Sequence, residues 1–363
     1  MANLKNTKIN DTGFLQIPTG SSAQRPSNPT NGEIRYNPEL KYVEQYDVEY
    51  GLWFPAGFIP PVATGGTVID ITQGGVDYRV HSFTSVGTST FTVTRSGPVE
   101  YLIVAGGGGG GGSWRHSGDG GGGAGGVLEG TINVSPGQYQ VVVGSGGEGG
   151  NQTSGSDRPS GEGGYYRSMP GGPSQFGENL IADGGGYGGS RLNNTTADAR
   201  GGDGGSGGGA AKGSSQTNFG GTGSPGKGHD GGPTLGQSSS PSDRAGAGGG
   251  GASGPGGNGD TNAAGNGGDG VSSTITGQLV YYGGGGGAGH ADSVRSNDDP
   301  RLGSGGLGGG GQGNAGTFDS VEVSHGAANT GGGGGGAGGS HTRDGNHGGN
   351  GGSGIVIVRY RTS

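Results

Sequence analysis

The residues of this chain that could bind a partner or do chemistry are gathered in a few short segments. They are Ser113-Trp114-Arg115-His116, Tyr165-Tyr166-Arg167-Ser168-Met169, Ser190-Arg191-Leu192-Asn193-Asn194, His290 through Arg301, Thr317 to His325, and Ser340-His341-Thr342-Arg343-Asp344. Aromatic, Arg and His side chains concentrate there, and those types dominate binding hot spots. The chemistry on offer is recognition by stacking and charge-assisted hydrogen bonding. Trp114, Arg115, His116, Tyr165, Tyr166, Arg167, Arg191, His290, Arg295, His341 and Arg343 are the candidate contact residues. The bland alternative is that they are solvated turns whose rings cap whatever lies beneath.

Catalytic and cofactor motifs fail on their details. Gly221-Thr222-Gly223-Ser224-Pro225-Gly226-Lys227 imitates a phosphate loop, but Gly228 stands where a hydroxyl must hold magnesium, and no strand precedes it. Gly256-Gly257-Asn258-Gly259-Asp260 is like a calcium-binding nonapeptide, yet no nine-residue period follows. His341 and His347 with Asp344 fall short of a zinc ligand set. Cysteine is absent, which removes disulfides and Cys-based metal sites. No Ser/His/Asp grouping has a diagnostic spacing. We expect no enzyme, cofactor or metal.

Something must position these segments, and most of what lies between them is glycine. The chain has 104 Gly and 17 Pro in 363 residues, and only 26% hydrophobic residues. The glycines come in blocks: Gly106–Gly112, Gly120–Gly126 around Ala124, Gly248–Gly251, Gly283–Gly289 around Ala288, Gly308–Gly311 and Gly331–Gly339 around Ala337. No Gly-X-Y period exists, so collagen is excluded. Ordering costs roughly 1–2 kcal/mol per residue, a sum that scattered apolar side chains cannot offset. Either the blocks are flexible linker, or their N–H and C=O groups satisfy one another.

The formal charge of −8 argues against nucleic acid, which basic stripes recognise. The first thirty residues lack an apolar signal core, and no run approaches the 18 or more apolar residues of a membrane span. We therefore expect cytoplasmic synthesis, release by lysis and no membrane insertion.

Four regions follow from the chain order. Residues 1–61 form a small β module in which Glu33–Tyr36 and Tyr42–Tyr46 read as period-two strands, closed by Trp53 and Phe54. Such a module usually completes its core by oligomerising. Residues 62–105 are strand-rich: Val76, Tyr78 and Val80 alternate with polar residues, as do Phe91 and Val93, and Val99–Val104 is nearly all apolar. Residues 106–354 hold the glycine blocks, with Thr131–Val134 and Tyr139–Val143 predicted as a hairpin on a type II Pro136-Gly137 turn. Residues 355–363 form a closing strand, predicted to pair near Tyr101–Val104 and so bring both ends of the glycine region into one frame. That strand argues against a linker. Within such a frame a block can take the extended three-residue helix, about 3.1 Å per residue, and bond outward to several neighbours at once. Ala124, Ala288 and Ala337 suit positions at block boundaries.

Two resemblances accompany this reading. Leu15–Gly20, Gln24–Asn37 and Trp53 resemble a short unit common in tailed-phage fibres. The run Val99–Gly112, Gly120–Gly126 and Thr131–Gly144, with later blocks and a closing strand, resembles the polyglycine-helix sandwich of phage tail-fibre tip adhesins. The fold class so implied is mostly β with polyglycine II helices: an N-terminal β module, a β-sandwich frame and a glycine-rich bundle, with little or no α-helix. The function implied is host attachment by a virion fibre, a homotrimer docked on tail, neck or baseplate proteins. Its target would be a surface polysaccharide or outer-membrane protein. Rival readings are a purely structural fibre, whisker or capsid decoration, a polysaccharide-degrading enzyme, and plain disorder.

Overall fold

The computed structural model describes residues 16–48, 51–57, 60–112, 117–152, 165–191, 199–212, 217–235, 244–261, 263–291, 299–315, 324–339 and 347–362. Its contacts separate two units, Met1–Pro60 with Thr362–Ser363, and Pro61–Arg361. Among the described residues there is one short 3-10 turn, Ser22–Gln24, and no α-helix.

The first unit is an antiparallel meander of β1 (Ile34–Asn37), β2 (Tyr42–Asp47) and β3 (Leu52–Pro55). Period two holds, but the buried face is the polar one. Ile34 is exposed, whereas Arg35, Asn37 and Glu44 are buried. The Glu44 carboxylate accepts from Arg25 Nη2 at 2.8 Å and Asn37 Nδ2 at 3.3 Å, and pairs with Arg35 Nε at 3.1 Å. Arg35 also donates to the carbonyls of Gln24 and Ser21 and lies over the Trp53 ring. Trp53 and Phe54 are the buried large apolar residues, so this ionic cluster takes the place of an apolar core. A buried charge is tolerated only when its lone pairs are filled in this way.

In the second unit the strands are β4 (Val62–Thr64), β5 (Thr67–Gln73), β6 (Val76–Phe83), β7 (Gly87–Arg95), β8 (Gly97–Val104), β9 (Val127–Val134), β10 (Gly137–Val143), β11 (Asn151–Gln152), β12 (Tyr165–Tyr166), β13 (Ser174–Phe176), β14 (Leu180–Ala182), β15 (Val271–Ser273), β16 (Val280–Tyr282) and β17 (Ile355–Arg361). Two five-stranded antiparallel sheets, β5-β6-β17-β8-β9 and β14-β13-β10-β7-β4, form the frame. Phe91, Val93, Val141, Val143 and Phe176 of one sheet share a core with Val99, Ile103, Val356, Val358 and Tyr360 of the other.

The closing strand pairs as expected, with Ile355 opposite Val104 and Val358 opposite Tyr101. Its other edge pairs with β6, so β17 is the central strand of its sheet and Ile355–Tyr360 is buried throughout. Arg359, near its end, donates to Glu100 Oε2 at 2.7 and 2.9 Å and to Gln73 at 2.7 Å, and its guanidinium stacks on Tyr78. One expectation is overturned. The segments flanking Pro136-Gly137 do not form a hairpin: β9 pairs with β8, and β10 pairs with β7 and β13. Gly137 has φ 152, far from the value a type II turn needs. The Pro-Gly corner instead carries the chain from one sheet to the other, because Val134 and Val141 are both drawn into the shared core.

The glycine segments are ordered main chain. Along Gly106–Gly111 the bonds repeat every three residues. Gly106 and Gly109 donate to Gly172 and Met169, Gly107 and Gly110 to Gly352 and Gly349, and Gly108 and Gly111 to Gly123 and Gly120, all at 2.8–3.0 Å. These three neighbours run antiparallel. The carbonyls of the same residues accept from three parallel neighbours: Gly185 and Gly188, Gly147 and Gly150, and Gly334 and Ala337. One segment thus bonds to six others. Gly120–Gly126 repeats the scheme, donating for example from Gly120 and Gly123 to Gly189 and Gly186. None of Gly106–Gly112 has a positive φ, whereas Gly283 and Gly331, the first residues of two later blocks, turn in at φ 72 and 70. Ala124, Ala288 and Ala337 are fully buried inside the array, not at its surface.

The direction of each segment follows from these pairings. Gly106–Gly112 leaves the frame after β8 and Gly120–Gly126 returns to it before β9; the chain leaves again after β10, β14 and β16 and returns before β13, β15 and β17. Gly112 is thus the far end of the first block, away from the frame.

Candidate functional site

At that far end the main chain closes one layer. Gly118 bridges Lys212 and Gly338, and His290 bridges Ala245 and Ala315. The Gly339 N–H donates to Ser117 at 2.7 Å, Ala291 to Arg244 at 2.9 Å and Gly289 to Asp119 at 3.0 Å. The layer therefore holds residues at or next to the borders of 113–116, 192–198, 213–216, 236–243, 292–298, 316–323 and 340–346. Those stretches contain most of the recognition segments picked out in the sequence.

The layer is polar and buried. Asp119 is 0% exposed and accepts the Arg191 backbone N–H at 3.0 Å. Lys212 and Arg191 are 3% and 8% exposed. Burial lowers the pKa of Arg191, Lys212 and Arg244. The Arg191 charge pushes Arg244 down further and the Arg244 charge does the same to Lys212, while Asp119 opposes the shift at Arg191. His290 is buried, with Nδ1 donating to the Ala291 carbonyl at 3.0 Å. On the rim, Arg301 donates twice through its side chain to Asp299 and holds that carboxyl down to about 2.

The sequence candidates divide accordingly. Trp114, Arg115, His116, Arg295, His341 and Arg343 lie outside the described residues. Tyr165 and Tyr166 form β12, paired with β11, and Arg167 follows them on the surface. Arg191 and His290, expected to face outward, are instead inside the layer, because the Asp119 carboxylate holds the Arg191 N–H and main-chain bonds to Asn314 and Arg244 hold His290 and Ala291. Sequence reasoning missed Asp119, Lys212 and Arg244, which sit beside glycine blocks without any motif of their own. It also missed Phe219, an exposed ring between the recognition segments. Lys227 of the phosphate-loop imitation pairs with Asp183 at 2.8 Å, and Gly221 and Ser224 donate their N–H groups to Gly208 and Gly204. Among the described residues no three His, Asp or Glu side chains are grouped for a metal.

The glycine-rich domain family matches residues 84–361, a span that ends on the last residue of β17. The chain belongs to that family. A comparison with curated proteins found no match. The glycine-rich domain so defined takes in β7 to β17 and the whole bonded array. The strands β4, β5 and β6 lie before the matched span, yet β6 pairs with β17 and β4 with β7, so they complete the domain's frame. No helix among the described residues is long and apolar enough to cross a membrane.

Proposed function

We propose that this glycine-rich domain is the display platform of a phage tail-fibre or adhesin subunit that attaches to a bacterial surface through the connections at its far end. The observation that carries the reading is the six-neighbour bonding of Gly106–Gly111, which makes a rigid body out of main chain alone. We read these segments as polyglycine II helices in a hexagonal array, set on a β-sandwich frame. A rigid scaffold that carries variable connections is the usual setting for recognition. Trp114, Arg115, His116, Tyr165, Tyr166, Arg167, Arg295, His341 and Arg343 are the contact residues in this reading. The N-terminal module docks on another virion protein and assembles three chains, and weak single contacts gain strength by avidity. The target is a surface polysaccharide or an outer-membrane protein, bound without covalent chemistry.

Fluorescently labelled full-length protein incubated with a panel of bacteria tests the reading. Selective, saturable labelling of some strains is expected, together with a trimeric mass by sedimentation. Uniform absence of labelling across hosts of the source virus would leave a purely structural fibre.

A further inference from the structure

We infer that the shoulder of the array around Phe219 is a carbohydrate subsite that takes a neutral pyranose ring. The inference rests on the attachment reading and names a ligand class for it. Phe219 is 67% exposed, the most exposed large apolar side chain among the described residues. The domain's other described phenylalanines, Phe83, Phe91 and Phe176, are buried in the frame core. A side chain this exposed gains little from burial, so packing accounts for only a small part of its placement.

Its backbone is fixed on both sides. The Phe219 carbonyl accepts from Gly201 at 3.2 Å. The preceding Asn218 donates to Thr234 Oγ1 at 3.2 Å and to the Ala211 carbonyl at 2.9 Å, and accepts from the Thr234 N–H at 2.9 Å. The main chain that carries the ring is thus held in place, so a contact made through it has only the side chain left to order.

The neighbourhood supplies the rest of a sugar site. Leu235, 41% exposed, stands diagonally across the Asn218–Thr234 bridge. Arg200 and Asp203 are paired at 3.6 Å with side chains 60% and 66% exposed. The segment that holds them runs beside Phe219: Gly201 bonds to Phe219, Gly204 to Thr222, and Asp203 Oδ1 accepts the Thr222 N–H at 2.7 Å. With three residues per turn, positions i and i+3 share a side, which places Arg200 with Asp203 and Phe219 with Thr222. A pyranose presents a face of C–H groups, which stacks on an aromatic ring, and an edge of vicinal hydroxyls. A guanidinium beside a carboxylate offers that edge donors and acceptors at once. The pair sums to no net charge, which favours a neutral sugar over a phosphate or uronate. Two apolar side chains also fall short of the roughly 800 Å² per partner that a stable protein interface uses.

The test is saturation-transfer NMR on the full chain with methyl glycosides of glucose, galactose, mannose and N-acetylglucosamine. At least one should receive saturation, strongest on the C–H protons of one ring face. Phe219→Ala should abolish the signal or weaken binding tenfold or more, and Phe219→Trp should retain it, with melting temperatures unchanged because the ring is exposed. No transfer to any glycoside, or equal transfer in the wild type and Phe219→Ala, overturns the subsite. Cell labelling keeps the two readings apart. If Phe219→Ala labels bacteria as brightly as the wild type, the subsite is wrong and attachment stands. If the wild type labels none, attachment fails and the glycoside result alone decides the subsite.

Discussion

His81 and Tyr360 are 279 positions apart in the chain and meet in the frame core, with Nε2 of the histidine 3.2 Å from the tyrosine hydroxyl. The other ring nitrogen, Nδ1, donates to the Gly65 carbonyl at 2.8 Å, and the Tyr360 hydroxyl also reaches the Ala63 carbonyl at 3.5 Å. Phe91 packs edge-on against the same ring.

This contact makes stability depend on pH. Burial is the main cause that holds the His81 pKa below its ordinary 6.5, aided by the Arg79 charge and opposed by the Gly65 bond and Asp70. A histidine depressed in the folded state leaves the unfolded state binding more protons, so stability is full above about 6.5 and declines as pH falls from there to the lowered native value. Urea denaturation at pH 7.5, 6.0 and 5.0 should show this decline, and His81→Asn, which keeps a donor for Gly65, should flatten it. An equal slope in the variant refutes the assignment. Asp70, lowered from 3.8 mainly by its Arg79 hydrogen bond, loses its contribution only in more acidic solution.

Array positions should differ sharply in what they tolerate. A methyl on Gly110 would run into the Gly335 carbonyl, whereas one on Gly254 would have Asp269 N as its nearest neighbour at 3.8 Å. Gly110→Ala should cost about 1–3 kcal/mol or more by overpacking. Gly254→Ala should be close to neutral. Thermal melts of the two variants side by side decide it, and equal melting points would mean that the array is looser than its bonds imply.

Arg359 ties four pieces of the frame together through Glu100, Gln73 and the carbonyls of Thr274 and Ile275. Arg359→Ala should destabilise the glycine-rich domain by roughly 2–3 kcal/mol. Arg359→Lys should recover little, since a point charge cannot reproduce a planar fork. Chemical denaturation with both variants measures this, and full recovery by lysine would disprove the fork geometry.

Replacing Glu44 leaves the Arg25 and Arg35 guanidiniums facing each other in a buried site. Breaking such a cluster costs about 3–5 kcal/mol, enough to open a module this small. Glu44→Ala in a Trp114→Phe background should shift Trp53 emission to the red and expose residues 16–57 to protease, while the glycine-rich domain keeps its own melting transition.

Much of the frame was readable because it is written in side chains. The apolar run Ile355–Val358 has few strands it can pair with, and the alternation at Phe91 and Val93 gives one buried face. Which glycine segment lies beside which was not readable. Gly120–Gly123 carries no side-chain code, and Gly349–Gly352 and Gly185–Gly188 carry one side chain each, Asn350 and Tyr187, so the frame and the connection lengths do most of the sorting. The inner face of β1 and β2 was hidden because its specificity is ionic, and apolar periodicity points to Ile34 when Arg35 and Glu44 are inside. Arg191 and His290 look like surface residues by type; their burial comes from neighbours far along the chain.

The alternation of outgoing and returning segments sets where this molecule can vary. A segment such as Gly106–Gly111 is committed to six neighbours through its backbone, so a mutation there is vetoed by geometry before chemistry matters. The far-end layer fixes the borders of the connectors, at residues such as Gly118, His290 and Gly339. Natural change should therefore run through the connectors in both length and composition, leaving the interior frozen: one body able to wear many faces.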